Sequence, residues 1–448
     1  MRTANRHSAF WAMTGLLCFP LLLPAANADR DQSIDRAIAA VEPKVIAWRR
    51  DIHQHPELSN REFRTAKLVA DHLRRLGLQV RTDVAHTGVV AVLKGAHPGP
   101  VIALRADMDA LPVTEPEGLP FASKERAQYN GAEVGVMHAC GHDAHTAMLM
   151  GAAEILATHR DLLHGTVRFL FQPAEEGAPS GEEGGAALMI KEGVLAGEDA
   201  PREIFGMHVW PGEPGKISYR TRGTMAAADT LSIVVHGVQT HGAQPWHGVD
   251  PIITAAQIML GLQLIPSRQL NATAAPTVIT IGSIRGGLRG NILPESVELN
   301  GTVRTFDPVI REDAIRRIER TATDISASAG ATADVKVESY APVVYNDVAL
   351  TARAGPALLR AAGDGQVGTM DLVMGSEDFA RYAAKIPGLF VFLGINAPGV
   401  APGDAAENHS PRFFVNEAAL ATGVRAFVFL VLDELRDPHA VVQQRQVN

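Results

Sequence analysis

The chain has 448 residues, of which 46% are hydrophobic and 20% are charged. These fractions are ordinary for a soluble globular protein, and the length allows two domains. The formal net charge is −8 and the sequence contains no run of lysine and arginine, which argues against nucleic acid as a partner.

The N-terminus is typical of a secretory signal peptide. Arg2 and Arg6 precede an apolar stretch over residues 10–24, which is too short to anchor the chain in a bilayer. Residues 26–28, Ala-Asn-Ala, form a cleavage site. We therefore expect a signal peptide over residues 1–28 and an exported protein, periplasmic or secreted, that has no membrane association after cleavage. A buried N-terminal helix is the alternative.

The two cysteines, Cys18 and Cys140, cannot pair in the mature chain, because Cys18 is removed with the signal peptide. A lone thiol in an oxidising compartment is exposed to damage unless something occupies it. A metal ion would protect Cys140, and this raises the expectation that Cys140 is a metal ligand.

Helices and short apolar strands alternate along both ends of the chain. The periodicity predicts helices over residues 34–53, 63–76 and 418–435, and strands over residues 101–104, 167–171, 204–207 and 389–394. Continuous apolar runs of this length are typical of a buried parallel sheet. Asp109, Glu175, Glu176, His208 and His409 follow these strands, at the sheet edge where open α/β folds bind ligands.

The middle third of the chain has a different pattern. It predicts a strand over residues 230–235, a helix over 252–265, strands over 277–284 and 297–306, a helix over 311–329 and a strand over 333–337. The order β-α-β-β-α-β is the ferredoxin-like one. We therefore predict an α/β fold with a mixed, mostly parallel sheet flanked by helices, formed by residues 29–226 and 339–448, and an inserted ferredoxin-like domain over residues 227–338.

Residues 138–145, His-Ala-Cys-Gly-His-Asp-Ala-His, bring together the side chains that best bind borderline-soft divalent metals. The apolar residues that follow predict an amphipathic helix starting near Asp143. Cys140 would then precede the helix N-terminus, where a thiolate is favoured. The alternative is a helix cap with incidental histidines, since the spacing fits none of the zinc-finger templates.

The adjacent glutamates Glu175 and Glu176 are the second strong signal. Neighbouring side chains in an extended segment point in opposite directions, so one carboxylate can bind a metal while the other faces a substrate. The alternative is a solvated acidic loop, because Glu182 and Glu183 follow.

Adding His208 and His409 gives a set of one thiol, one carboxylate and three imidazoles. Five ligands exceed a single tetrahedral zinc site and suit two divalent ions roughly 3.5–4 Å apart. A lone histidine such as His208 is more often structural, but its position at the shared sheet edge favours binding.

These motifs together resemble the aminoacylase and hippurate hydrolase group of dinuclear metallo-amidohydrolases. This group also contains the plant hydrolases of indoleacetyl-amino-acid conjugates and is related more distantly to the glutamate carboxypeptidases. The matching segments extend from residue 49 to residue 411, and the most specific are residues 105–112, 138–145, 172–176, 207–208 and 375–379.

The resemblance implies a set of ligands for two divalent ions, zinc or manganese, consisting of Cys140, His142, Glu176, His208 and His409. It makes Glu175 the general base and later the general acid of a metal-assisted amide hydrolysis. Asp109 would fix a ligand. In the distant relatives a histidine ligand stands where Asp107 stands here, so we leave Asp107 out of the ligand set.

The resemblance also implies that the inserted domain closes over the site as a lid and mediates dimerisation. His241 matches the histidine that stabilises the oxyanion, sometimes in the partner subunit's site, although Gln239 and Thr240 replace the usual two glycines. Asn291 matches the asparagine that helps bind the polar end of the substrate. A surface-loop histidine and a turn residue are the respective alternatives.

We therefore predict an exported metal-dependent amidohydrolase, a homodimer or higher homo-oligomer, that cleaves N-acyl amino acids to a carboxylic acid and an amino acid. A dipeptidase or carboxypeptidase on the same scaffold is the enzymatic alternative. A non-catalytic metal-binding homologue would lack Glu175 or a ligand, and all are present. A structural zinc site draws its ligands from short spacings, whereas these candidates span residues 140 to 409.

Overall fold

The computed structural model describes residues 24–436. Most of the expected signal peptide, including Cys18, lies outside the described residues. No helix within residues 24–436 combines the length and the apolar character needed to cross a membrane.

The helices longer than one turn are α1 (Pro24–Gln54), α2 (Phe63–Arg75), α3 (His142–Thr158), α4 (Gly185–Lys191), α5 (Pro251–Leu264), α6 (Pro308–Ser328), α7 (Val348–Ala362), α8 (Phe379–Ala383) and α9 (Leu420–Glu434). The strands are β1 (Gln79–Val84), β2 (Gly88–Lys94), β3 (His97–Asp107), β4 (Arg126–Tyr129), β5 (Ala132–Gly135), β6 (His164–Gln172), β7 (Ile204–Trp210), β8 (Ile217–Tyr219), β9 (Arg222–Met225), β10 (Ala227–His236), β11 (Thr240–His241), β12 (Thr277–Gly286), β13 (Ile292–Leu293), β14 (Ser296–Thr305), β15 (Thr332–Ala341), β16 (Val344–Asn346), β17 (Val367–Thr369) and β18 (Gly388–Gly394).

Eight strands form the large sheet, in the order β1-β2-β6-β3-β7-β18-β8-β17. The central strands β6, β3, β7 and β18 are parallel and correspond to the four predicted apolar runs. Antiparallel pairing at β1-β2, β2-β6 and β18-β8 makes the sheet mixed. The predicted α/β class with a mixed, mostly parallel sheet flanked by helices is confirmed.

The large sheet is covered by helices on both faces, which explains its continuous apolar strands. Helices α1, α3 and α9 share one hydrophobic core with the sheet, and α4 and α8 share a second. Helix α3 packs closely on α9, because Gly423 leaves room there for Met148. A Cβ added at Gly423 would lie 2.0 Å from the Met148 sulfur.

The middle third forms a separate four-stranded antiparallel sheet, in the order β12-β14-β10-β15. Helices α5 and α6 pack on this inserted sheet around a hydrophobic core of its own. The order of its elements is the expected β-α-β-β-α-β. Strand β15 extends to Ala341, three residues past the expected boundary at 338, and the division into domains stays a prediction.

Candidate metal centre

The expected metal ligands come from strand β7, from the turn after β6, from the N-terminus of α3 and from the loop before α9. Cys140 and His142 flank Gly141, the N-cap residue of α3. Gly141 has a φ of +97°, and a Cβ there would lie 2.2 Å from Val209 Cγ2, so only glycine allows this turn to approach β7. The sequence had indicated that His208 follows the strand, but His208 lies within β7.

The five side chains converge on one place. Cys140 Sγ lies 3.4 Å from His208 Nε2, and His409 Nε2 lies 3.1 Å from Glu176 Oε1. Among these five side chains, ligand atoms within 4.8 Å of one another form two groups of three, which are Cys140, His142 and His208, and Cys140, Glu176 and His409. Cys140 belongs to both groups, so its sulfur lies where two adjacent ion sites would meet.

The histidine tautomers suit metal binding at Nε2. His142 Nδ1 donates to the Asp109 carbonyl at 2.8 Å, and His208 Nδ1 donates to the Val209 carbonyl at 2.6 Å. His142 Nε2 is buried without a hydrogen-bond partner. Unpartnered buried polar atoms are costly unless a ligand satisfies them, and thiol, imidazole and carboxylate are the donors that zinc takes. The residues present therefore fit two divalent ions.

The charges of this set also favour a cation. Burial raises the pKa of the Cys140 thiol well above its usual value, and the carboxylates of Glu176 and Glu175 add to this. Burial lowers the pKa of His142, but the carboxylates of Asp107 and Asp109 outweigh it and raise that pKa to about 10. A divalent ion would displace both protons.

Asp107 and His145 also approach His142, but their atoms are already occupied. His145 Nδ1 donates to Asp107 Oδ1 at 2.6 Å, and His145 Nε2 accepts from the Val209 amide at 2.8 Å. Asp107 Oδ2 accepts from Arg105 at 2.6 Å. This pair therefore holds β7, and with it His208, in place, which agrees with leaving Asp107 out of the ligand set.

Asp109 fixes the backbone of the glutamate pair. Its two carboxylate oxygens accept from the backbone amides of Glu175 and Glu176, both at 3.0 Å, and Ser59 donates to it at 2.8 Å. Its carbonyl also orients His142. Asp109 thus contacts both the expected base and the expected ligands, as a residue that positions them would.

Glu175 lies in a buried cluster of carboxyl groups. Burial raises the pKa of Glu175 well above its usual range, and the carboxylates of Glu377 and Glu176 add to this. The fully buried Arg105 counters the cluster by donating to Glu377 at 2.8 Å and to Asp378 at 2.9 Å. A buried carboxyl with a raised pKa beside metal-binding side chains is typical of a catalytic acid–base group.

His241 and Asn291 lie together on the inserted sheet's side of the molecule. His241 pairs with Ile292 across the short β11-β13 ribbon, and the Gly242 amide donates to the Asn291 carbonyl at 2.8 Å. His241 is exposed. Within residues 24–436 no hydrogen bond or ion pair joins this ribbon to the metal-binding set, so the roles expected for His241 and Asn291 stay predictions.

Two buried polar residues that support the site were not predicted from the sequence. Arg105 connects the ends of β3 and β6 with the Glu377–Asp378 turn. Glu62 accepts from the Ala174 amide at 2.9 Å, directly before Glu175. An arginine directly after an apolar run was a visible signal for the first, whereas nothing local marks Glu62.

Known proteins are similar to this chain in both sequence and fold. The profile of the family described as peptidase family M20/M25/M40 matches residues 103–433. Thermostable carboxypeptidase 2 of Saccharolobus solfataricus is 38% identical over 407 residues, covering 90% of this chain and 98% of the relative. N-acetyl-L-cysteine deacetylase of Bacillus subtilis is 39% identical over 405 residues, covering 90% of each.

A solved structure of a member of the same family is also similar to this chain. The YXEP protein of Bacillus subtilis, described as a dinuclear metal binding peptidase from the M20 family, matches with a TM-score of 0.74 at 38% identity. The match covers 89% of this chain and 99% of that chain. The resemblance drawn from the motifs is confirmed, and the chain belongs to peptidase family M20/M25/M40.

Proposed function

We propose that this amidohydrolase cleaves the amide bond of N-acyl amino acids to give a carboxylic acid and a free amino acid. The observation that carries the proposal is the buried carboxyl of Glu175 next to five convergent metal-binding side chains. The 39% identical relative named as a deacetylase of N-acetyl-L-cysteine supports this substrate class.

Glu175 moves the proton in this reaction. A carboxyl whose pKa is raised by burial can accept a proton from the attacking water and retain it until the amine leaves. The Asp378 backbone amide donates to Glu175 Oε1 at 3.3 Å. Asp109 keeps the backbone of the glutamate pair fixed during both transfers.

We propose that Cys140, His142, Glu176, His208 and His409 hold two divalent ions. Bound there, such ions supply a Lewis acid for the amide carbonyl and a lowered pKa for the attacking water. A thiolate ligand favours zinc, and manganese is the alternative. Metal analysis of the purified protein, expected to give about two ions per chain, distinguishes this centre from a single structural site.

The decisive test compares two neighbouring glutamates. Glu175→Gln is expected to lower kcat by at least about 10²–10⁴-fold on a panel of N-acyl amino acids while the metal content stays near normal. Glu176→Gln is expected to lower the metal content itself. The reverse pattern would show that the two roles are exchanged, and a wild type inactive on the panel with each metal added would reject the proposed substrate class.

Carboxypeptidase activity is the second candidate, because a relative with that name is 38% identical over nearly the whole chain. A carboxypeptidase removes the C-terminal residue of a peptide. Adding dipeptides and N-blocked dipeptides to the same panel separates the two, since an amidohydrolase of the proposed kind prefers an acyl group without a free amine.

We also propose that the inserted sheet closes over the site and joins two copies of the chain. Large apolar side chains exposed on α5 and on the edge strand β12 support an interface there, among them Ile253, Leu260, Leu264 and Ile284. His241 and Asn291, on the same inserted unit, would then meet the substrate in their own site or in that of the second copy. Sedimentation of the purified protein tests the assembly.

Export is the remaining proposal. It is supported by the charged start, short apolar stretch and Ala-Asn-Ala site of the N-terminus. A chain lacking residues 1–28 is expected to be soluble and active, and an insoluble product would favour the buried-helix alternative.

A further inference from the structure

The glutamate pair lies in a strained turn. Ala174 has a φ of +53° and Gly177 a φ of +108°, so left-handed residues stand on both sides of Glu175 and Glu176. For alanine this conformation costs about 1–2 kcal/mol. A turn of this kind persists only where the surrounding structure holds it in place.

Most of the contacts that hold this turn come from the unit of the large sheet. Glu62 accepts from the Ala174 amide, Asp109 accepts from the amides of Glu175 and Glu176, and the Asp378 amide donates to the Glu175 carboxylate. One further contact comes from the inserted sheet. The Tyr340 hydroxyl donates to the Glu175 carbonyl at 3.0 Å.

A β-bulge directs Tyr340 at this turn. On β10, Ala228 pairs with Ala341 and the next residue, Asp229, pairs with Ser339. Tyr340 is therefore the extra residue on β15, outside the ladder. Bulges bend a strand and redirect a side chain, and they are frequent beside active sites.

The backbone of Tyr340 is fixed from the other side. Arg381, in helix α8, donates to the carbonyls of Ser339 and Tyr340. Helix α8 follows directly on Asp378, whose amide faces the Glu175 carboxylate. Tyr340 is 44% exposed, and partial burial together with the Glu175 carboxylate raises the pKa of its hydroxyl. Tyr340 therefore remains a hydrogen-bond donor.

We infer that Tyr340 is a positioning residue, which holds the backbone of the general base Glu175. Through this contact, the position of the inserted sheet affects the position of the carboxyl that transfers the proton. The inference rests on the proposed function for its effect on rate. It predicts that movement of the inserted sheet relative to the large sheet loosens or tightens the Glu175 turn.

The test compares Tyr340→Phe with Tyr129→Phe. Tyr129, the last residue of β4, is similarly exposed, at 43%. Losing one hydrogen bond to the turn is expected to lower kcat about three- to tenfold, with KM within about twofold for every acyl group on the panel and metal content unchanged. Tyr129→Phe is expected to leave kcat unchanged.

A second measurement does not depend on activity. Hydrogen exchange of the metal-loaded protein is expected to speed up at the amides of residues 174–177 in Tyr340→Phe, and not in Tyr129→Phe, because those amides are protected only while the turn is held. Unchanged exchange there would overturn the inference even if no substrate were found.

Kinetics add two further outcomes that would overturn it. An unchanged kcat with a lower Tm would make Tyr340 a purely structural contact. A rise in KM that depends on the acyl group would make it a substrate contact instead. If the wild type hydrolyses nothing on the panel, the proposed function fails, while the exchange measurement still decides the role of Tyr340.

Discussion

The edge of the large sheet and the surface of the inserted sheet depart from the ordinary arrangement of polar and apolar residues in opposite ways. At the sheet edge, Arg105, Asp107 and Asp109 are almost fully buried. On helix α5, which packs on the inserted sheet, Leu260 is 73% exposed and Ile253 is 58% exposed. Polar groups are inside in one region, and large apolar groups are outside in the other.

The two departures have different physical causes. Buried charged groups are stable only when neighbours satisfy them, and they then fix the geometry of a reaction. Exposed apolar patches are stable without partners but favour association. The buried edge therefore has the features of a reaction site, and the exposed surface has those of an interface. Matched substitutions in the two regions can test this difference.

The largest effect is expected at Arg105. Arg105→Met removes the guanidinium that pairs with Asp107, Glu377 and Asp378. Leaving these carboxylates buried is expected to lower the free energy of unfolding by about 3–5 kcal/mol, measured by urea denaturation. The matched change on the inserted sheet is Arg311→Met, because Arg311 pairs with Asp229 alone and is 21% exposed. A larger loss at Arg311 than at Arg105 would contradict the comparison.

A smaller effect is expected at glycines with positive φ. Gly141→Ala combines a left-handed alanine with a Cβ 2.2 Å from Val209 Cγ2, and we expect a loss of about 2–5 kcal/mol with a lower metal content. On the inserted sheet Gly330 has a φ of +70°, but its Cβ would lie 3.9 Å from the nearest atom. Gly330→Ala is expected to lose only the backbone part, about 1–2 kcal/mol, and equal losses would contradict this reasoning.

The sequence predicted the parts of the site that depend on local pattern. The apolar runs of β3, β6, β7 and β18 and the polar residues after them indicated one sheet edge, and the five expected ligands do meet there. The short strands β8 and β17, of three residues each, carry too little pattern to predict. The hairpin β1-β2 had an alternating pattern and an apolar run, and was overlooked.

The supporting contacts could not be predicted, because they join distant parts of the chain. Arg105 meets Glu377 across 272 positions, and Glu62 meets Ala174 across 112. Tyr340 is directed at Glu175 by a bulge that exists only once β15 has paired with β10. Periodicity predicts which face of an element is buried, but it does not predict which long-range partner satisfies a buried charge.

The stability of the buried edge is expected to depend on pH through Glu62. Burial, together with the Asp109 carboxylate, raises the pKa of Glu62 from 4.5 to about 8. The protonated carboxyl is thus favoured by folding, so its contribution is fully present below pH 4.5 and is lost as the pH rises through 8. Glu62→Gln keeps the shape of the protonated form and does not titrate.

Urea denaturation of both proteins across this pH range provides the measurement. The two are expected to be equally stable at pH 4, and the glutamine variant is expected to be more stable above pH 8, by at most a few kcal/mol. A difference that does not change with pH would show that folding does not raise the pKa of Glu62.

The smallest effect on folding is expected at the exposed apolar surface. Leu260→Glu is expected to change the free energy of unfolding of the single chain by no more than about 0.5 kcal/mol, because Leu260 is 73% exposed, and to leave the metal content unchanged. If α5 forms the interface between two copies, the same change places a charge within it and shifts sedimentation toward the single chain. Leu359→Glu is the matched control, since Leu359 is also exposed, at 45%, but lies on α7 beside the large sheet. Dissociation by Leu359→Glu and not by Leu260→Glu would move the contact region from the inserted sheet to the large one.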